Sequence, residues 1–493
     1  MADEKATLRE IHWRHVFPWL AIFRTFGVAL DLKKMALGGL GALTMTFGWF
    51  LLASLFETVA GGNEQVSAAA AEVRGWPWDR NEWHTFAVSD NPAAIALLEE
   101  LQKTGLPISA ADYEKIGAVR FVEDLERSGV RVTPSDRTAI EAAFGVKKRF
   151  VILNELQRSP LSTLWQLGTN WRFVLKPVEV LVRPFRDVFA RRNEFVSTVF
   201  ALVCGLWGAL VWAFFGGAIT RIAAVQFARD EKISLKESVQ FAASKFLSYG
   251  GAPAIPLAFV AFFAVLCLVG GLISRIPGVG AIFAGVLWIL PLVAGFVMAI
   301  ILVGWAVGWP LMFSTISVEG SDSFDALSRS FAYIFQRPWH YLFYAIVAAV
   351  FGSLCSFFVV LFADLMIHMT QWAVAWGGGD KLLGQLFFYA PDASGWGSST
   401  DPSVATPNGL NKIGAICTGI WLYLVFLLLV GFVYSYFWSA STIIYYLLRR
   451  DVDNTEMQEV FLEGEGDDMD IPGEHAAPTS PVVSSGEPPQ TAG

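Results

Sequence analysis

The chain has 493 residues, 54% of them hydrophobic and only 16% charged, with a mean hydropathy of +0.48. A soluble globular domain carries about 25% charged residues, so this composition excludes one and points to an integral membrane protein. The net charge of −8 excludes a basic nucleic-acid binder, and the four cysteines sit inside apolar runs without CxxC spacing, as small apolar side chains do.

Residues 11–34 interleave Trp, Phe and Leu with Arg14, Arg24, Lys33 and Lys34. That pattern suits a segment lying on an anionic leaflet, so 1–34 is expected to be a cytoplasmic, interfacial amphipathic stretch. The first thirty residues lack the apolar core and cleavage site of a secretory signal, so none is expected. His12 and His15 stand three apart with no third ligand nearby and read as interfacial polar groups. The first span is expected at 35–56, without an ionisable residue, and Gly38, Gly39, Gly41 and Ala42 at its start leave room for another helix.

Residues 57–194 turn polar and read as a small, mostly helical extracytoplasmic domain. Asn91-Pro92 with Gly105, Ser109 with Gly129, and Thr133-Pro134 with Gly145 punctuate three helices. Asp79, Glu82 and His84 fall in a Trp/Pro-rich stretch and read as a solvated loop. Apolar residues among scattered Arg and Lys at 159–192 predict a segment running along the membrane into the second span.

Five further spans are expected at 195–217, 252–273, 281–308, 341–367 and 413–446, making a membrane domain over 195–446. Ala201, Gly205 and Ala209, and again Gly304 and Gly308, mark helix contacts, and Pro291 predicts a kink. A tight hairpin joins the third and fourth spans, and 368–412 reads as a partly ordered cap. The region 447–493 reads as an acidic, disordered cytoplasmic tail, with eleven acidic residues and no Lys or Arg after Arg450.

Two short helices, or elbows, separate these spans. At 234–246 the stripe is Leu235, Val239, Ala242 and Phe246, with Ser234 and Glu237 spaced as a capping box. At 321–340 it is Phe324, Leu327, Phe331, Ile334 and Phe335, with Ser323 as the expected N-cap and Pro338 as the stop. Arg221, Arg229, Lys236 and Lys245 make the first elbow basic and predict contact with anionic headgroups. The second elbow is expected to hold on through Phe324, Phe331 and Phe335.

The positive-inside rule places both termini and both elbows in the cytoplasm. Arg183, Arg186, Arg191 and Arg192 run against it, but long domains cross with little regard to charge. The fold class expected is therefore an all-α integral membrane protein with about six transmembrane helices, two interfacial elbow helices and a small helical soluble domain.

Span, elbow and span occur twice in the same orientation, a pattern of internal duplication. The runs GGAITRIAAVQFARDE from Gly216 and EGSDSFDALSRSFAYIFQRPWHYLFYA from Glu319 resemble a group of multi-pass bacterial membrane proteins of unknown function. PWLAIFRTFGVALDLKKM carries a weaker match. More broadly, the elbow-then-span unit resembles uncharacterised bacterial membrane proteins with repeated elbow helices. The resemblance implies a fold and an inner-membrane location, and transfers no site residue.

Serine triads, HExxH and Walker-type loops are absent, and six His leave few general bases, so no enzyme, cofactor or metal is expected. Asp364 and His368, one turn apart near the end of the fifth span, are the candidate functional pair. A scaffold or lipid-handling envelope protein is the favoured expectation. Its partners would be the bilayer, anionic lipid, and a protein or second copy, with no nucleic acid. The alternative is a transporter or permease for a neutral or lipid-like substrate, suggested by the duplication.

Overall fold

The computed structural model describes residues 17–60, 171–190, 195–277, 279–391 and 406–462, with isolated positions between them. The three helices expected between 91 and 145, His12 and His15, the Asp79, Glu82 and His84 group, Arg191, Arg192 and the tail beyond 462 lie outside the described residues.

Every regular element among the described residues is a helix, and six of them are long and apolar enough to cross a membrane. They are α1 (Leu32–Ala60), α3 (Phe195–Arg229), α5 (Phe246–Ile273), α7 (Ile289–Glu319), α9 (Pro338–Leu386) and α10 (Gly409–Asp453). Shorter helices are α2 (Lys176–Ala190), α4 (Leu235–Ser244), α6 (Val279–Val286) and α8 (Ser323–Gln336). The protein is an all-α membrane protein, as its composition requires.

α10 is the central element. Every residue from 429 to 448 is buried, with α1, α3, α7 and α9 packed around it. α1 approaches most closely because both helices carry glycine at the crossing. A Cβ on Gly431 would lie 1.9 Å from the Met35 carbonyl oxygen, and one on Gly38 would lie 2.7 Å from the Gly431 oxygen. Any side chain there would force the backbones apart. Where α1, α3, α7 and α10 meet, aromatic rings fill the centre. Trp212 stacks on Tyr434 at 4.1 Å between centroids, Trp438 lies 4.6 Å from Phe313, and Trp309 meets Trp438 edge-on at 5.4 Å.

The N-terminal stretch is more enclosed than its pattern suggests. Pro18–Arg24 forms a 3-10 turn and Thr25–Ala29 a short helix. Ile22, Val28 and Ala29 are buried, while Trp19, Phe23 and Phe26 meet Phe343, Phe351 and Phe358 of α9 edge-on. The stretch packs on the bundle through one face and leaves Phe17 and Leu30 exposed. α1 starts at Leu32, before the expected 35, because the Asp31 carboxylate accepts the Lys33 N–H at 2.9 Å and caps the first turn. Lys34 is consequently drawn inside, fully buried, donating from Nζ to Gln226 Oε1 at 2.7 Å.

Several expected boundaries move. Pro291 stands in the first turn of α7, and the chain breaks at 287–288 instead of kinking, since proline has no N–H to offer the Leu287 carbonyl. The cap expected at 368–412 is largely helix: α9 runs on to Leu386 across a non-helical Gly379 (φ 76°). The tail expected from 447 is ordered to 462. α10 continues to Asp453, Asn454 ends it in the left-handed region (φ 55°), and Val460 is buried. Lastly, 171–190 belongs to the membrane domain and not to the expected 57–194 domain. Leu181 and Phe185 of α2 pack over Gly208 and Gly205 of α3, and Val174 reaches Gly352 of α9.

Candidate functional site

The structure brings both elbows, the ends of α7 and α10, and the residues after α10 into one polar core, here the elbow end of the bundle. The first elbow, α4, starts as its sequence predicts: Ser234 accepts from the Glu237 N–H at 3.2 Å and Glu237 reaches back to the Ser234 N–H at 3.1 Å. Its buried face is Ser238, Phe241 and Ala242, so of the expected stripe only Ala242 is fully enclosed, while Leu235 is exposed. The second elbow, α8, is capped one residue earlier than expected. Asp322 accepts the Asp325 N–H at 2.9 Å, and Ser323 instead donates to the Ser248 carbonyl at 3.2 Å.

The residues expected to touch lipid divide. Arg221 is buried: its Nη1 donates to the Ser317 carbonyl at 2.8 Å and its guanidinium lies 4.1 Å from the Phe241 ring centroid. A guanidinium so enclosed on α3 cannot meet a headgroup. Lys245 is half-buried and donates from Nζ to the Gly320 carbonyl, so it holds α5 to the end of α7. Arg229 is half-buried and Lys236 exposed. Phe331 is also turned inward, its ring 3.0 Å from where a Gly304 Cβ would stand, with Ile334 against Gly308. The paired glycines of α7 thus seat the elbow. Phe324 and Phe335 point outward, 69% and 53% exposed, and Phe335 leads into the exposed Trp339, Leu342, Phe343 and Ile346 of α9.

Glu319, the last residue of α7, is the hub. Its side chain is 10% exposed and meets Arg329 Nη1 of α8 at 2.6 Å and Arg449 Nε of α10 at 3.2 Å, and it accepts from the Tyr445 hydroxyl. Arg329 also donates from Nε to Asp325 at 2.9 Å; this bond raises its pKa above the ordinary arginine range, with Glu319 adding to it. Tyr333 donates to Asp453, and burial first, then that carboxylate, pushes the phenol pKa up. Tyr344 donates to Asp451 at 2.8 Å. Deeper in, Ser317 Oγ lies 2.6 Å from Thr220 Oγ1 and 2.7 Å from the Tyr249 hydroxyl, so α3, α5 and α7 share one buried hydrogen-bond chain.

Asp364 and His368 sit on one face of α9, both half-buried, and the Trp396 indole donates to Asp364 Oδ1 at 2.7 Å. α9 continues for about three more turns beyond His368 to the non-helical Gly379 and then on to Leu386, so the pair is not at a helix end. Elsewhere, α2 carries Lys176, Glu179 and Arg183 along one face. Glu179 lies 3.6 Å from Lys176 Nζ and 3.3 Å from Arg183 Nη2. Gly205 and Gly208, under α2, stand about 15–20 Å inside the start of α3, so these charges run beside the middle of a span.

Pattern reading missed Glu319, Arg449, Asp451 and Asp453. Their signal was charge directly after an apolar stretch, the single Glu319 after Val318 and the cluster Arg449, Arg450, Asp451 and Asp453 after Leu448. Among the described residues, no group of three His, Cys, Asp or Glu side chains is placed to hold a metal. Comparisons with protein-family models, curated proteins and solved structures each found no match.

Proposed function

We propose that the protein is a membrane scaffold of the cell envelope that contacts lipid through its second elbow. The observation that carries this reading is the aromatic plug. Trp212, Tyr434, Trp438, Phe313 and Trp309 fill the crossing of the central helices, and beneath it the elbow-end ion pairs tie α7, α8 and α10 together. Such a centre resists the rocking that alternating access requires. Arg24, Lys33, Lys34, Arg329, Arg449 and Arg450 gather at the elbow end, which supports a cytoplasmic location for that end and an inner-membrane setting. The recurring order span, elbow, span supports an internal duplication.

A second reading, a permease for a neutral or lipid-like substrate, draws on the Lys176, Glu179 and Arg183 face lying beside α3. Proteoliposomes separate the two. The scaffold reading expects the flux of neutral solutes and of labelled lipid to match protein-free vesicles. Saturable, protein-dependent flux refutes it. Orientation is tested in a cysteine-free background: a maleimide that cannot cross membranes should label Asp380→Cys in intact cells and leave Lys236→Cys unlabelled. Both positions are exposed, so labelling of Lys236→Cys overturns the topology.

A further inference from the structure

We infer that residues 454–462 form a latch that couples the two elbows through Glu319 and Gly320. The scaffold reading does not require this, and it would hold in a permease as well. Past Asn454 the chain folds back over the end of α7. The Phe461 N–H donates to the Val318 carbonyl at 2.7 Å, Val460 is buried, and Arg449 Nη1 donates to the Glu459 carbonyl at 3.0 Å with Nη2 3.5 Å from its carboxylate. The Phe461 ring lies over Gly320, where a Cβ would stand 2.6 Å from it. Gly320 is in the left-handed region (φ 65°) and ends α7, so the glycine serves both the helix stop and the seat for the ring.

The two residues beneath the latch each hold an elbow. Gly320 gives its carbonyl to Lys245, at the junction of α4 and α5. Glu319 holds Arg329 of α8, and also Arg449, which reaches on to Glu459 of the latch. Docking of one short segment therefore fixes the peptide that pins the first elbow and the carboxylate that pins the second. Undocking frees the Gly320 peptide to turn and gives Arg449 a choice of partners, and both elbows loosen together.

Hydrogen exchange on the full-length protein in nanodiscs tests this, read on peptides covering 235–244 and 323–336. Phe461→Ala should speed exchange in both elbows by about fivefold or more, with the middle of α10 unchanged. Lys245→Met should loosen the first elbow alone, and adding Phe461→Ala to it should speed the second elbow but not the first any further. Glu459→Gln, which leaves the ring in place, should give the same paired pattern more weakly, and serves if Phe461→Ala does not fold. Faster exchange confined to 454–462, or to one elbow in the Phe461→Ala protein, overturns the latch. So does full additivity of Phe461→Ala and Lys245→Met at the first elbow.

Discussion

Replacing Phe331 by alanine separates two ways of holding the second elbow, packing on α7 and burial in lipid. The Phe331 ring occupies the space that Gly304 leaves open, whereas Phe335, one turn on, points outward at 53% exposure. If the ring leaves its seat, it enters lipid and not water, so the transfer part of the cost is small and the cavity part remains. Removing roughly 100 Å³ of side chain at about 24 cal/mol per Å³ sets an upper limit near 2.4 kcal/mol, which partial collapse reduces to about 1–2 kcal/mol. Exchange of the 323–336 amides should then rise about 5- to 30-fold in Phe331→Ala, equally in zwitterionic and anionic nanodiscs. Phe335→Ala should stay within about 0.5 kcal/mol of wild type. If Phe335→Ala loosens the elbow as much as Phe331→Ala does, lipid burial holds it, and the glycine seat is incidental.

Three further outcomes follow from the same contacts. Gly431→Val should destabilise the bundle by about 3 kcal/mol or more, read as a lower midpoint of unfolding in detergent, because Met35 and α1 must move away. Lys236→Glu should leave the first elbow unchanged in any lipid while Lys245→Glu loosens it in every lipid; dependence on anionic lipid in either variant restores the headgroup reading. Truncation after Leu462 should leave the folded protein intact, whereas truncation after Asp453 removes Val460, Phe461 and the Glu459 partner of Arg449 and should cost about 2–3 kcal/mol, measured by thermal unfolding of the two proteins side by side.

The spans, the elbows and their order were legible because they rest on composition and on a helical repeat of apolar residues, both local properties. The capping box at Ser234 and Glu237 was legible for the same reason, since both partners lie within four residues. What pattern could not show is which of two apolar or two basic residues faces inward. Phe331 and Phe335 are one turn apart on the same stripe, and only Gly304, 27 residues upstream on another helix, decides between them. Arg221 and Lys245 read as basic surface, but each finds a backbone carbonyl, of Ser317 and Gly320, at the end of α7. The acidic tail was misread over its first part because Val460, Phe461 and Leu462, three apolar residues amid charge, carry little weight in an average yet pack on the bundle.

The two span-elbow-span units share an order of elements but not a way of holding the elbow. In the first, the glycine of the leading span is Gly217, and it seats Tyr249 from the following span, a ring 2.7 Å from where its Cβ would be. The elbow itself is left to bury Phe241 under Arg221 and to present Lys236 and Glu237 outward. In the second, Gly304 and Gly308 seat the elbow directly, drawing it along α7, so that Phe324 and Phe335 join the exposed apolar surface of α9. With the glycine seat span-on-span in the first unit and elbow-on-span in the second, the outward face of the first elbow is charged and that of the second is apolar. Glu319 and Gly320 join the two units, the carboxylate through Arg329 of α8 and the carbonyl through Lys245 at the end of α4.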